Sequence, residues 1–237
     1  MQTLNINNFK ITTVGGNTDQ ICYIPYPFDI LDEWAIEAAK RFNVSIVIIT
    51  HIDWDNDLTP WKANGVPTGS PDFKGMSSQF LSVLKDKIMP QVEKSLKISP
   101  GAERTLAGDS LSGLFALWQW MECDLFTNII SLSGSFWYEG FVTWIKSRPI
   151  PKKTGRAYFL LGNKEAQSRV PQFRQVQTDT LEIVNYLSEN GINDFFELVP
   201  GNHYQYGEQR LNRAFNWMFN TGTIHDSTNA LKGIHEN

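Results

Sequence analysis

The chain is poor in the groups that build disulfide frameworks and metal clusters. Its 237 residues include two cysteines, Cys22 and Cys123, and four histidines. Two cysteines make neither a framework nor a thiolate cluster, and both read as small core residues. Basic clusters are missing as well. Lys and Arg total 21 against 25 Asp and Glu, a net charge of −4 that speaks against a general nucleic-acid binder. Apolar runs such as Ile46–Ile49 fall far short of a bilayer's thickness, so no membrane partner is expected. The first eight residues carry neither a basic region nor an apolar core. They do not read as a signal peptide, and the expected location is the cytoplasm. Repeats and low-complexity tracts are absent, and residues 1–237 read as one domain with a polar tail from about 221.

What is present is an ordered alternation of strands and helices. Residues 4–14 and 20–25 flank Gly15-Gly16-Asn17, which reads as a hairpin turn. Asp29 is a plausible cap for a helix reaching Phe42, and Val44–Thr50 is a β-branched buried strand. Residues 51–75 are loop. Met76–Leu96 has helical spacing, with a kink expected at Pro90. Further strands are expected over 103–107, 127–133, 157–161 and 193–199. Helices are expected over 114–121, 141–146, 175–187 and 209–219. This pattern implies a mostly parallel, doubly wound sheet with helices on both faces and an antiparallel N-terminal edge hairpin. In such sheets the site lies beyond the carboxyl ends of the strands.

The richest stretch is Ala107-Gly108-Asp109-Ser110-Leu111-Ser112-Gly113, between an apolar strand and a helix. A G-x-S-x-G turn in that context lifts a serine hydroxyl clear of the backbone. The second glycine of the pattern falls at Ser112, which is small enough for the turn. A serine needs a base. His225 and His235 fall in the polar tail, and His51 precedes Ser110, whereas His203 follows the last strand in Pro200-Gly201-Asn202-His203. Order and placement favour His203. The acid is expected in the loop after strand 157–161, where Glu165 is the choice; Asp194 is a reserve at the wrong end of its strand. One oxyanion donor is expected at the Leu111 N–H. The second should come from the segment after strand 20–25. Pro25 and Pro27 have no N–H to give, leaving Tyr26 or Phe28.

Several ordered motifs carry a resemblance. Leu58-Thr59-Pro60, the elbow, Ser131-Leu132-Ser133-Gly134-Ser135-Phe136-Trp137, Gly162-Asn163-Lys164-Glu165 and Gly201-Asn202-His203 succeed one another over roughly residues 20–220. Together they resemble the esterase D and enterochelin-esterase-like branch of the α/β-hydrolases. The resemblance implies a serine esterase with Ser110 as nucleophile, His203 as base and Glu165 as acid, acting on a small-molecule ester. No metal or cofactor is implied. Two positions depart from the branch. Tyr26-Pro27 stands where relatives carry Asp-Gly, and Trp54-Asp55-Asn56 stands where they often carry an arginine. The second departure argues against an anionic substrate gripped by arginine. Trp54, Trp61, Trp137, Tyr138 and Tyr204 are instead the expected lining of an apolar pocket. An acyltransferase using the same site, and a silent hydrolase fold that binds a ligand, are the alternatives.

Overall fold

The computed structural model describes residues 1–220. The expected polar tail, with His225 and His235, lies outside the described residues. Eight strands form one sheet: β1 (Gln2–Ile6), β2 (Phe9–Val14), β3 (Gln20–Pro25), β4 (Ser45–Thr50), β5 (Glu103–Asp109), β6 (Asn128–Leu132), β7 (Arg156–Gly162) and β8 (Asn193–Val199). The order across the sheet is β1-β2-β4-β3-β5-β6-β7-β8. From β4 through β8 every pairing is parallel. β1 and β2 supply the antiparallel edge.

Three local readings need correction. The edge hairpin turns at Asn7-Asn8, with Ile6 opposite Phe9, and not at Gly15-Gly16-Asn17. Asn7 takes a φ of 53°, a conformation asparagine tolerates in tight hairpin turns. β2 then pairs with β4, and β3 lies on β4's other side. Helix α1 runs Asp32–Phe42, and Asp29 does not cap it. Its carboxylate is taken by Lys10 Nζ at 2.9 Å and Thr50 Oγ1 at 2.6 Å. The loop 51–75 contains a short helix, α2 (Trp54–Asp57).

The long helix before the elbow, where a kink is expected at Pro90, continues through that residue with a π turn just ahead of it. It runs as α3 (Ser77–Val83), a π turn (Leu84–Ile88) and α4 (Met89–Leu96). A proline ring crowds the carbonyl four residues back, and the wider turn accommodates it: Met89 N–H bonds Leu84 O. The remaining helices are α5 (Leu111–Glu122), α6 (Phe141–Lys146), α7 (Val176–Glu189) and α8 (Gly207–Phe219).

The helices cover both faces. α1 and α8 bury Trp34, Phe42, Ala214 and Phe215 on one side, with Trp34 edge-on to Phe215 at 5.0 Å. α3 to α7 pack on the other. α5 is buried from Leu111 to Met121, which accounts for its apolar character on every face. Among the described residues, no helix is long and apolar enough to cross a membrane.

β5 and α5 approach so closely that Gly108 is obligatory. A Cβ there would lie 2.3 Å from the Ser112 carbonyl carbon. Gly108→Ala is expected to destabilise the fold by about 1–3 kcal/mol through overpacking. A lowered urea midpoint would be the measurement, and an unchanged midpoint would refute the close approach.

Candidate active site

Ser110 sits at the junction of β5 and α5 with φ 58° and ψ −121°. For a residue with a Cβ this is a strained backbone, held because the surroundings over-determine it. The Ser110 N–H donates to Leu132 O at 2.9 Å, and Ser110 O accepts from Leu114 N–H at 3.1 Å and Ser135 N–H at 3.0 Å. The hydroxyl faces two partners, His203 Nε2 at 3.1 Å and Ser135 Oγ at 3.3 Å. His203 lies in the loop after β8, and its Nδ1 is 2.9 Å from Glu165 Oε2. Ser110, His203 and Glu165, picked from sequence order, therefore form one unbroken chain of hydrogen bonds. Asp194 lies at the start of β8, accepting from Ser188 Oγ, and takes no part.

Glu165 is held from behind. Its Oε1 accepts from Ser133 Oγ at 2.6 Å, Gly162 N–H at 2.7 Å and Arg210 Nη1 at 3.0 Å. Arg210 Nη1 also donates to Ser133 Oγ at 2.7 Å, and Nη2 to Asn202 O at 2.7 Å. Oε1 is thus committed to the scaffold and Oε2 is left for the imidazole. Burial works to raise the Glu165 pKa, but hydrogen bonds from His203, Ser133 and Gly162 outweigh it and lower the value. For His203, burial works to lower the pKa. The bond to Glu165 and the charges of Asp109 and Glu165 overcome it and raise the value. Asp109 is pushed up to about 6, chiefly by burial.

Ser133, Ser135 and Arg210 were not anticipated. Arg210 had a legible signal: it stands on the face of α8 that carries Ala214 and Met218 at fourfold spacing, a charge among buried positions. Ser133 and Ser135 lie in a run of small residues at the end of β6, where nothing in the spacing separates support from packing.

The hydrogen-bond chain opens onto a pocket of about 550 Å³. Trp54, Trp137 and Tyr204 line it as expected, as does Leu111. Phe73, Phe173, Val66 and Val170 complete the apolar wall and were not foreseen. Trp61 and Tyr138 do not line it. Tyr138 is 2% exposed, its hydroxyl donates to Trp61 O, and the Trp61 ring packs on Tyr138, Phe141 and Trp144. Both are packing residues. The oxyanion expectations divide similarly. Leu111 opens α5, where the first N–H groups have no partner within the helix. Tyr26 N–H is spent on Ile49 O at 2.9 Å, and Phe28 lies outside the pocket. Neither supplies the second donor. His51 also lies outside the pocket, beside Asp29. Among the described residues, no group of three or more His, Cys, Asp or Glu could hold a metal.

A family model named Esterase, described as "Putative esterase", matches residues 28–218. The chain belongs to this esterase family. The uncharacterized protein YbbA of Bacillus subtilis (strain 168) is 25% identical over 171 residues, covering 69% of this chain and 68% of YbbA. Among solved structures, the siderophore hydrolase EstB of Aspergillus nidulans superposes with a TM-score of 0.72 at 19% identity, covering 94% of this chain and 96% of that one. An IroE-like serine hydrolase from Shewanella oneidensis gives 0.78 at 17% identity, covering 92% and 79%. At these identities the structural likeness establishes the shared α/β-hydrolase fold.

Glu165, whose carboxylate is held by His203, Ser133 and the Gly162 N–H, makes stability depend on pH. Glu165 has a folded pKa below its ordinary 4.5, so its contribution is present above about pH 4.5 and is lost as pH falls through the lowered folded value. Arg210→Met leaves a buried carboxylate uncompensated and is expected to cost about 3–5 kcal/mol near pH 7. The cost should shrink toward pH 4, where the Glu165 of the variant, no longer facing the guanidinium, takes up a proton. Denaturant titrations at the two pH values check this; an equal loss at both would refute it.

Proposed function

We propose that the protein is a serine esterase that hydrolyses carboxylic esters through an acyl-enzyme on Ser110. The observation that carries this reading is the chain Ser110–His203–Glu165, with links of 3.1 and 2.9 Å, seated on a strained elbow that lines the pocket. His203 Nε2 takes the proton of the Ser110 hydroxyl as Oγ attacks the ester carbonyl. Glu165 accepts from Nδ1, fixes the tautomer and stabilises the imidazolium. The Leu111 N–H and the amino end of α5 favour the negative charge that develops on the carbonyl oxygen. His203 then gives its proton to the departing alcohol. Water, activated by the same imidazole, releases the acid.

The walls support an uncharged substrate with an apolar or aromatic portion. Trp54, Phe73, Trp137 and Phe173 line the pocket, and Trp137 lies 4.6 Å from Phe173. Besides Glu165 and His203, the charged side chains lining it are Asp55 and Lys164, one of each sign, and no arginine is among them. Membership of an esterase family supports ester cleavage. The reading of a silent binding fold anticipates a histidine that does not reach the serine, or a site that no second N–H faces; His203 reaches Ser110 at 3.1 Å, whereas Tyr26 and Phe28 do not supply the second donor.

A fluorophosphonate probe is expected to label the native chain and to fail on Ser110→Ala and His203→Ala. Hydrolysis of a neutral activated ester should fall by about 10³-fold or more in either variant. Full activity in Ser110→Ala would overturn the assignment. The base must be neutral to accept the proton, and the His203 pKa lies above its ordinary 6.5. The acid limb of kcat/KM is therefore expected above pH 6.5, and a limb at or below that value would contradict the hydrogen-bonded histidine.

A further inference from the structure

The mechanism leaves one ionisable group beside the serine without a task. Asp109 ends β5 and immediately precedes Ser110. Its Oδ1 is fully enclosed and has no hydrogen-bond partner. Such groups are costly in a folded chain and call for an explanation. Of the buried side-chain atoms without a partner among the described residues, three are hydroxyls, and two belong to charged groups: Asp109 Oδ1 and Arg210 Nε. Asp109 and Arg210 line the same small cavity, walled otherwise by Ile24, Tyr26, Gly108, Leu132, Gly207 and Leu211. At about 10 Å³ it has room for roughly one bridging water.

A charge count gives the arrangement its meaning. Glu165 and Arg210 form a buried pair at 3.0 Å, so at a distance their charges cancel. When His203 takes the serine proton, the matching negative charge develops on the carbonyl oxygen, and the centre as a whole gains none. The imidazole itself becomes positive, and Arg210 opposes that change locally. A second carboxylate beside Arg210 offsets the guanidinium in the field at the imidazole.

We propose that Asp109 is a positioning residue of the site, a second carboxylate that offsets Arg210 so that His203 can carry a proton while Glu165 holds its orientation. The titratable and charged groups that act on it are His203 from the loop after β8, Glu165 after β7 and Arg210 from α8, with Tyr26 after β3 lining the same cavity. Burial raises Asp109 to about 6, so it is ionised at the pH where His203 loses its proton. The negative charge of Asp109 raises the proton affinity of His203.

The inference rests on the serine esterase reading, and its primary test does not need turnover. The imidazole of His203 is titrated by NMR in the native chain and in Asp109→Asn, the resonance being assigned by its loss in His203→Asn. The midpoint is expected to fall by about half to one pH unit. Where hydrolysis is measurable, the acid limb of kcat/KM should move down by the same amount, with kcat on the plateau reduced about fivefold. Arg210→Gln should move the midpoint upward. Opposite shifts identify charge as the cause, because mere loosening of the site would move both variants toward the ordinary histidine value. Asp109→Ala, which also removes the charge, is expected to reproduce the downward shift if Asp109→Asn folds poorly. An unmoved His203 midpoint in a folded Asp109 variant overturns the inference, as do shifts of the same sign in the Asp109 and Arg210 variants. Should no ester be cleaved, the NMR titration still decides the coupling and separates its failure from that of the esterase reading.

Discussion

The site depends on how one carboxylate is held. Glu165 Oε1 receives hydrogen bonds from Ser133 at the end of β6, from the Gly162 N–H at the end of β7 and from Arg210 on α8. The ends of two paired strands and the helix that packs on them are thereby registered against one another at one atom. Arg210 extends the tie to the next loop through Asn202 O, one residue before His203. The histidine is therefore positioned twice, by its own bond to Oε2 and by its neighbour's bond to the residue that holds Glu165. Replacing such a cluster with apolar residues could leave stability unharmed. What it supplies is a carboxylate with one free oxygen aimed in one direction.

The strained turn at Ser110 belongs to the same constraint. A serine at φ 58° persists only where packing and hydrogen bonds on both sides exclude relaxation. Gly108 and Gly113 permit the contact: a Cβ on Gly113 would lie 2.7 Å from Ser131 Oγ, and one on Gly108 would strike the Ser112 backbone. Ser112 needs no such space, since it lies inside the first turn of α5 with its hydroxyl buried and unpartnered. The glycine requirement of the elbow falls on 108 and 113, which explains why serine is tolerated between them.

Much of this was legible in the sequence because periodicity and order are local properties. Strands β4 to β8 and the elbow appear as apolar runs bounded by turn residues, and β8 was read at its observed limits, Asn193–Val199. Ser110, Glu165 and His203 follow from chain order and from the rule that parallel sheets carry sites at their carboxyl ends. What escaped depends on contacts between distant segments. The edge hairpin was misplaced because Gly-Gly-Asn is the stronger turn signal, whereas the pairing of β2 with β4 is decided by the sheet. The oxyanion expectation for Tyr26 failed because its N–H is consumed by Ile49 on β4, a pairing that continues the strand past Pro25. Arg210 was visible only as an anomaly on an apolar helix face.

The aromatic residues show how one run of sequence serves two purposes. Along Phe136-Trp137-Tyr138, the first and third side chains turn inward and the second faces the pocket. Phe136 stacks on Phe141 at 5.6 Å, and Tyr138 lies against Trp61 and Phe73. Trp61 is fixed in turn by its Nε1 bond to Glu139 O at 2.9 Å. The wall formed by Trp137, Phe73 and Phe173 is therefore backed, at Trp137 and Phe73, by an aromatic layer that ties these connecting segments to the core. A wall of that kind resists collapse when empty and presents fixed ring faces to a ligand, so less ordering accompanies binding. Trp61 and Tyr138, though they do not line the pocket at Ser110, support the residues that do.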